Sequence, residues 1–436
     1  MSSLRSRLPL RRRLVVIAAL AVALGALAAY VLLHEPGNVS HPKVEFTSPT
    51  ATKPSKRTLP VTDTSLWPRY GFDGARTRFL PNSQRLDPPF RRGWSYYGGS
   101  LLEFPPVIYH TGLFMLNDDG VVVGLDKRTG HTLWSAHVGT LAAASPAVGD
   151  GRVFAPLLST NPGAGQNPGN GRFVALSARD GHVLWSRPVP AGSESSPLLW
   201  GSTVYFGDQD GTVYALRAGD GHTEWTYHAS GAVKGGPSIA NGIIYFGDYA
   251  GRAYALRAAD GREVWVVSTN GAQLGFGSGN FYSTPAIAFG RVYMGNTDGR
   301  VYSFAAHSGQ LAWATSTGAY VYSSAAVEDT AGLGPTVYIG SYDGTFYAFD
   351  ARSGAVRWTH AAGGRISGSP TIIGDVVYYS NLADKTTAGL DVRSGREVFS
   401  FPEGAFNPVI ADQKAIYLTG YTNLFQLLPA RSARRH

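Results

Sequence analysis

The sequence predicts an all-β fold, an eight-bladed β-propeller whose blades are four-stranded and antiparallel. Its 436 residues contain seven copies of one pattern, spaced at intervals of about 40 residues, as in repeat architectures. A glycine lies four positions before the closing aromatic residue in all seven copies. Another glycine lies 14 positions before it in six copies, and Lys385 takes that place in the seventh. The closing residues are Trp134, Trp185, Trp225, Trp265, Trp313, Trp358 and Phe399.

Each copy predicts four short strands. In the third copy, residues 213–218 alternate between two faces, as a strand does, and Asp220-Gly221 supplies a hairpin turn before the strand ending at Trp225. In the fourth copy, residues 243–248 predict another strand, and Pro237 opens the strand before it. Four short antiparallel strands per copy match the blade of a propeller.

The two ends of the chain are expected to share the eighth blade. Like most closing tryptophans, Trp94 is followed 12 positions later by a strand-opening proline, although no inner strands precede it. The last copy, from Pro408 to about Leu428, has three inner strands and no closing tryptophan. The strand around Trp94 would therefore close the ring without free sheet edges. The periodic aromatic residues are expected to fill the spaces between blades.

Composition excludes several classes of function. The chain has no cysteine, which excludes disulfides, thiolate metal sites and cysteine nucleophiles. Its net charge of +8 comes from the termini, since residues 61–430 hold 26 basic and 28 acidic residues. Such a near-neutral propeller offers no basic face, so nucleic acid is not expected as a partner. No nucleophile elbow, zinc motif or P-loop occurs, and we assign no catalytic residue and no metal ligand.

The N-terminal region predicts a membrane anchor. Residues 14–33 are 20 uncharged residues, enough to cross a bilayer, and residues 1–13 form a basic N-terminus with five arginines. The positive-inside rule then keeps the N-terminus in the cytoplasm and places the propeller outside a cell membrane crossed once. The alternative is a signal peptide cleaved at Ala26-Leu27-Ala28, which would release a secreted protein. The apolar run continues to Leu33, which favours the uncleaved signal anchor.

The rest of the chain divides into three predicted parts. Residues 34–66, rich in Pro, Ser, Thr and Lys, predict a flexible extracytoplasmic tether. Residues 67–430 form the predicted propeller, and residues 431–436 a basic tail.

The copies resemble the pyrroloquinoline-quinone (PQQ) type propeller repeat, with its A-x-D-x-x-T-G-x-x-x-W signature. The segment LDKRTGHTLW, residues 125–134, matches it well, and WPRYGFDGARTRFLP, residues 67–81, is similar to the stretch preceding the propeller in quinoprotein dehydrogenases. The resemblance covers about residues 67–428 and implies the fold. It leaves the activity open, because the repeat occurs in PQQ- and calcium-dependent dehydrogenases and also in BamB-like, non-catalytic outer-membrane assembly proteins.

The chain departs from the dehydrogenases in its lack of cysteine and resembles them at Glu103. Many of them place a vicinal cysteine disulfide against the cofactor, which a chain without cysteine lacks. Glu103, in the step Glu-Phe-Pro-Pro, resembles a Glu-x-x-Pro step near the cofactor of that family. The alternative interpretation is a solvent-exposed loop residue.

Because antiparallel strands alternate in direction, every second connection lies on the same face of the propeller. This strand parity places the candidate binding residues on one face. The loops between blades share a face with the turns between second and third strands, and two long insertions, residues 157–171 and 269–281, fall on it. Lys234 and Arg365 occupy nearly equivalent loop positions, where they could hold an anionic group or remain solvated. The candidate ligand- or cofactor-binding residues on this face are Glu103, Lys234, Arg365, Asn167 and Tyr322. His131, His182 and His222 follow turn glycines and are expected on the surface.

Three hypotheses of function follow. The leading one is a membrane-anchored, extracytoplasmic propeller that acts as a binding or assembly scaffold for a protein or cell-envelope partner. Under this hypothesis, the propeller has no enzymatic activity and needs no cofactor. The alternative is a PQQ- and calcium-dependent dehydrogenase of alcohols, sugars or polymers. A third is recognition of cell-wall glycan by Phe276, Phe281 and Tyr282.

Overall fold

The structure, a computed structural model, describes residues 17–22, 25, 37–49, 66–81, 86–160, 170–269 and 279–430. The chain divides into two units, Met1–Asn38 and Val39–His436. In the first, residues 17–22 are helical; the rest of the predicted membrane helix, apart from Gly25, lies outside the described residues. Across the described residues, no helix combines the length and the apolar character needed to cross a membrane. The predicted basic tail also lies outside the described residues.

The second unit holds the propeller. Three strands precede the repeats: β1 (Val39–Ser40), β2 (Phe79–Leu80) and β3 (Phe90–Tyr97). Blades 1 to 4 consist of β4 (Val107–Tyr109), β5 (Gly112–Leu116), β6 (Val121–Asp126), β7 (Thr132–His137), β8 (Ala147–Gly149), β9 (Arg152–Leu157), β10 (Gly171–Ser177), β11 (Val183–Val189), β12 (Leu198–Trp200), β13 (Thr203–Gly207), β14 (Thr212–Arg217), β15 (Thr223–His228), β16 (Ser238–Ala240), β17 (Ile243–Gly247), β18 (Arg252–Arg257) and β19 (Glu263–Ser268).

The remaining strands complete the ring. Blades 5 to 8 consist of β20 (Ala286–Ala288), β21 (Arg291–Asn296), β22 (Arg300–Ala305), β23 (Leu311–Ser316), β24 (Ala326–Thr330), β25 (Gly334–Gly340), β26 (Thr345–Asp350), β27 (Val356–Ala361), β28 (Thr371–Ile373), β29 (Val376–Asn381), β30 (Thr386–Asp391), β31 (Glu397–Phe401), β32 (Val409–Ala411), β33 (Ile416–Thr419) and β34 (Asn423–Pro429).

The described strands confirm the eight-bladed propeller and the way its ring closes. In blades 1 to 7, four consecutive strands pair antiparallel in chain order, with the first strand on the inner side. In blade 7, β2 pairs parallel to the inner edge of β28. Blade 8 has the order β3-β34-β33-β32, and Tyr97 pairs with Asn423 while Phe90 pairs with Pro429. The strand containing Trp94 is therefore the outer strand of the last blade, as predicted.

Part of the predicted tether packs on the propeller. Within the range 34–66, β1 adds a fifth strand to the outer edge of blade 5, where Val39 pairs with Ala314. The guanidinium of Arg291 donates hydrogen bonds to the carbonyls of Val44 and Glu45. Residues 39–49 are thus held on the propeller by backbone pairing and hydrogen bonds. Residues 50–65 lie outside the described residues.

The closing tryptophans join neighbouring blades. Each indole Nε1 donates to a backbone carbonyl in the hairpin of the next blade, and its ring packs on the glycine of that hairpin. A Cβ added at Gly261, where φ is +70°, would lie 2.7 Å from the ring of Trp225. The donor–acceptor pairs are Trp94–Lys127, Trp134–Ala178, Trp185–Ala218, Trp225–Ala258, Trp265–Ala306, Trp313–Ala351 and Trp358–Val392. The predicted packing role is confirmed, and it requires both the glycine and the tryptophan.

Residues 66–81, here called the plug, run inside the ring against the innermost strands. The second residue of the first strand donates its backbone N–H to a plug carbonyl in six blades, at 2.7–2.9 Å. In blade 3 the side chain of Arg69 donates instead to the carbonyl of Leu199, at 3.0 Å. The six backbone pairs are Ile108–Trp67, Val148–Pro68, Ile239–Gly74, Ile287–Ala75, Val327–Thr77 and Ile372–Arg78. The plug closes the central channel of the ring. On the face formed by the loops between blades, the channel therefore ends at the plug as a blind cavity.

Candidate functional site

The candidate site is a cavity at the centre of the face formed by the loops between blades, here called the loop face. The space between its walls measures about 440 Å³ when the solvent at its open mouth is counted, and about 30 Å³ of it can be occupied by the centre of a water molecule. Tyr70 of the plug forms its floor, and its walls come from the loops between blades, including Glu103, Glu194, Lys234 and Tyr322. Strand parity therefore predicted the location of this central cavity, and three predicted site residues line it.

A ring of short polar side chains forms the lower wall of the central cavity. These residues directly precede the first strands, and each takes a hydrogen bond from the backbone of the blade before it, as when Thr284 N–H donates to Ser324 Oγ at 2.9 Å. The donor–acceptor pairs are Ser145–Ser196, Gly236–Thr284, Thr284–Ser324, Ser324–Ser369 and Ser369–Asn407. The repeated Ser, Thr or Asn before a strand-opening residue was a usable sequence signal, which our sequence analysis missed.

The floor of the cavity is fixed from both sides. The Tyr70 hydroxyl lies 2.9 Å from Ser369 Oγ and donates to Asn407 Oδ1, also at 2.9 Å. Beneath it, the fully buried Arg76 donates to the carbonyls of Ser196 and Pro237, each at 3.1 Å. Because these donors and acceptors are paired, the floor is rigid and holds the blades at a set spacing.

One wall of the cavity carries an ion pair. Lys234 Nζ lies 2.7 Å from Glu194 Oε1, and both side chains are largely buried. Glu194 also accepts hydrogen bonds from Gln209 at 3.2 Å and from the Tyr282 hydroxyl at 3.3 Å. The ammonium group of Lys234 also faces the ring of Tyr249, 4.8 Å from its centroid.

Glu103 faces the cavity without such a partner. Its side chain is half-buried rather than exposed, because its loop packs between Tyr70 and the first strand of blade 1. Burial, and then the neighbouring charges of Asp118 and Glu194, raise its pKa to about 7. Within the described residues, Glu103 forms no ion pair. It can therefore hold or release a proton near neutral pH.

A tyrosine patch borders the central cavity. Tyr322 lies against Tyr282, Tyr320 and Tyr342, with ring centroids 5.6, 6.0 and 4.8 Å apart. Arg365 lies over Tyr342, 5.8 Å from its centroid, and Tyr320 is 54% exposed. Tyr320, Tyr322, Tyr342 and Arg365 form a second, open pocket beside the cavity, and we call them the tyrosine patch.

The structure does not bring all the predicted site residues together. Lys234 lines the central cavity, whereas Arg365 lines the neighbouring pocket, so the two cations do not share an anion site. Glu194, from the loop of the preceding blade, occupies the position beside Lys234 that an anion would take. Asn167 lies outside the described residues.

Two further groups of residues can be placed. Phe281 is fully buried among the strands of blades 4 and 5 and cannot stack on a sugar ring, while Phe276 lies outside the described residues. His131, His182 and His222 are exposed on hairpins, as predicted.

Comparison with known proteins identifies the family. The family model described as "Outer membrane protein assembly factor BamB" matches residues 118–330 and 298–435, which is more than half of the chain. The chain belongs to the PQQ-type β-propeller repeat family. No curated protein matches it.

Solved structures share the fold of this PQQ-type propeller. BamB from Moraxella catarrhalis is 18% identical with a TM-score of 0.62, over 80% of this chain and 100% of that chain. A europium-containing methanol dehydrogenase is 14% identical with a TM-score of 0.69, over 84% and 98%. A quinohemoprotein alcohol dehydrogenase from Comamonas testosteroni is 13% identical with a TM-score of 0.65, over 86% and 82%. Identities this low show the shared fold alone.

The central cavity of this PQQ-type propeller does not suit the cofactor that gives the repeat its name. PQQ is a planar tricarboxylate, but among the described lining residues Lys234 is the only cation, and it is already paired with Glu194. Calcium prefers six or more oxygen ligands. Among the described residues, no cluster of three or more His, Asp or Glu side chains could hold a metal ion. The residues present therefore do not fit PQQ with calcium.

Proposed function

We propose that this protein is a binding or assembly scaffold that engages a protein partner through its loop face. The observation that carries the proposal is the tyrosine patch at the mouth of a blind cavity. Tyrosine combines a large apolar surface with a polar group and is enriched in protein interfaces. The plug and the inter-blade hydrogen bonds keep this surface rigid, which lowers the entropic cost of binding.

The family supports this proposal. The matching family model is described as an outer membrane protein assembly factor, and BamB from Moraxella catarrhalis aligns over its full length. An assembly role needs a preformed surface rather than a catalytic constellation, and the described cavity offers such a surface.

Site-specific photo-cross-linking tests the scaffold function. A photoreactive phenylalanine analogue replaces Tyr320, which is 54% exposed on the loop face, or Leu133, which is 55% exposed on the outer strand of blade 1. We expect one discrete adduct from position 320 in cells and none from position 133. Tyr322→Ala should weaken the adduct, and mass spectrometry should identify a single partner protein in the adduct from position 320. Equal labelling from 133 and 320 would contradict the proposal.

We further propose that residues 14–33 anchor the propeller outside the cytoplasm. The support is the uncharged run and the five arginines before it. A reporter fused after Leu428 that is active only outside the cytoplasm tests this. A cytoplasmic signal would rule out both the topology and an extracytoplasmic partner. A product shortened at Ala28 would indicate the secreted alternative.

A dehydrogenase function remains the alternative hypothesis, supported by the resemblance of residues 67–81 and by Glu103. The direct test is a calorimetric titration of the full-length chain with PQQ and excess calcium, followed by a dye-linked alcohol oxidation assay. The donor set predicts no heat of binding and no turnover. Tight binding with turnover would make the protein an enzyme and overturn the scaffold proposal.

A further inference from the structure

The central cavity combines aromatic rings with carboxylates. Phe104, Tyr282 and Tyr322 line its walls together with Glu103 and Glu194. The face of an aromatic ring attracts a cation through its quadrupole, and the attraction strengthens when water is displaced. Rings and carboxylates around one small space are the complement of an ammonium or guanidinium group.

The protein's own cations show how this face holds a positive charge. Lys234 contacts a carboxylate, Glu194, and lies over a tyrosine ring, that of Tyr249. Lys385 lies over Tyr421, 4.0 Å from its centroid, as Arg365 lies over Tyr342. The described cations in the loops and turns of this face therefore each lie over a tyrosine ring.

Glu103 is a carboxylate of the cavity that has no cation beside it among the described residues. It faces the cavity from the loop before blade 1, and the neighbouring charges that act on its carboxyl group, those of Asp118 and Glu194, are also acidic. Lys234, on the loop before blade 4, is already engaged by Glu194. A cation entering the cavity would give Glu103 the counter-ion that the described residues do not supply.

The rim of the cavity has the same sign of charge. The turns between second and third strands carry aspartates on most blades, because Asp accepts the backbone N–H groups of such turns. Their carboxylates make the loop face acidic although the propeller as a whole is near neutral, and this favours approach of a cationic partner. The aspartates with exposed or half-exposed side chains are Asp118, Asp119, Asp210, Asp298, Asp343 and Asp384.

We propose that the central cavity receives a lysine or arginine side chain from a protein partner, with Glu103 as its counter-ion and Phe104, Tyr282 and Tyr322 as its aromatic wall. This inference rests on the scaffold function and names the chemistry of the partner. A hydrated metal ion is the poorer occupant, since it seeks several oxygen ligands rather than ring faces. An anionic ligand would meet the carboxylates of Glu103 and Glu194.

Ligand-observed NMR with the full-length chain tests the proposal. The probe is N-acetyl-arginine amide, and its matched control is N-acetyl-citrulline amide, which has nearly the same shape and no charge. We expect saturation transfer to the arginine probe and at least about tenfold weaker binding of citrulline, because a partly desolvated charge pair is lost. Equal binding of the two probes, or no transfer to either, would overturn the proposal.

Matched variants locate the binding. Glu103→Gln keeps the size of the side chain and removes its charge, and it should weaken the arginine probe at least about tenfold. Glu397→Gln makes the same change at an exposed position on β31 and should bind as the wild type does. Tyr322→Ala, checked for folding by circular dichroism, should also weaken the probe. Unchanged binding by both cavity variants would place the cation elsewhere and refute the site.

The outcome separates this inference from the scaffold function. If the cross-link at position 320 forms but the arginine probe does not bind, the scaffold function holds and the cationic partner is wrong. If the probe binds and no cross-link forms, the cavity takes a small cation and the protein-partner proposal fails.

Discussion

Single carboxyl groups in and beside the central cavity hold their protons unusually tightly. Burial, and then Asp118 and Glu194, raise the pKa of Glu103 to about 7, and burial, and then Asp119, raises the pKa of Asp118 to about 6. Glu103 also stands near the ion pair of Glu194 and Lys234. The charge of the cavity therefore changes in the range where most proteins work.

Replacing Glu103 should alter how stability depends on pH. The folded protein keeps a proton on Glu103 where the unfolded chain, with a pKa near 4.5, has lost it. The free energy of unfolding therefore falls as pH rises from about 4.5 to about 7. Glu103→Gln removes this dependence. The free energy of unfolding should therefore fall less between pH 4.5 and pH 8, by up to about 3 kcal/mol. Urea unfolding at pH 4.5 and pH 8 measures the difference.

A second carboxylate serves as the control. Glu397→Gln, at an exposed position on β31, should keep the pH dependence of the wild type. If Glu103→Gln instead follows the wild-type curve, its carboxyl group is better solvated than the structure indicates, and its raised pKa is wrong.

Part of the site was predictable from the residues themselves. Strand parity put Glu103, Lys234 and Tyr322 on one face, and they do line or border one cavity. It could not show that Glu194, 40 residues before Lys234 in the chain, neutralises it, because ion pairing depends on side-chain direction across a blade boundary. For the same reason, the separation of Arg365 from Lys234 was not foreseen.

At the scale of elements, the Trp–Gly contact predicts a sharp difference among glycines. Gly221 has φ +70°, and a Cβ there would lie 2.6 Å from the ring of Trp185. Gly221→Ala should therefore lower the free energy of unfolding by about 3 kcal/mol, from left-handed strain and overpacking together. Chemical denaturation measures this loss.

Two other glycines separate the effect of backbone strain from the effect of overpacking. Gly201 has φ +59° and open space around its Cβ position, so Gly201→Ala should cost only the strain, about 1 kcal/mol. Gly219 has neither a positive φ nor a close neighbour, and Gly219→Ala should be nearly neutral. If Gly221→Ala costs no more than Gly201→Ala, the ring contact does not hold the blades together.

Periodic elements were predictable and the aperiodic one was not. The recurring tryptophans and glycines revealed the blades and their closure through Trp94, because the same contact repeats at every boundary. The plug occurs once and so has no period, and six of its hydrogen bonds to the blades join backbone groups, which leave no mark on side-chain identity. The pairing of Val39–Ser40 with blade 5 was missed for the same reason.

At the scale of the whole molecule, a buried ion pair stabilises the boundary between the last blade and the first. Lys127 Nζ lies 3.0 Å from Asp412 Oδ2, with both side chains buried, and the Lys127 carbonyl accepts hydrogen bonds from Trp94, Tyr417 and Gln426. Asp412→Asn would leave the lysine charge buried without its counter-ion. We expect a loss of about 3–5 kcal/mol, measured by urea unfolding.

An exposed ion pair provides the comparison. Arg217 and Asp220 form a pair with both side chains about half exposed, and Arg217→Ala should change stability by less than about 1 kcal/mol. If Asp412→Asn and Arg217→Ala lower the free energy of unfolding equally, the buried pair does not stabilise the closure of the ring.

The shared eighth blade also sets an order of events during synthesis. β3 is among the first strands of the propeller to leave the ribosome, whereas its partner β34 is the last. Until that strand emerges, the nascent chain is an open arc with an unpaired strand at each end. Unpaired strand edges are sites of aggregation, so the ring loses this exposure only when β34 pairs with β3.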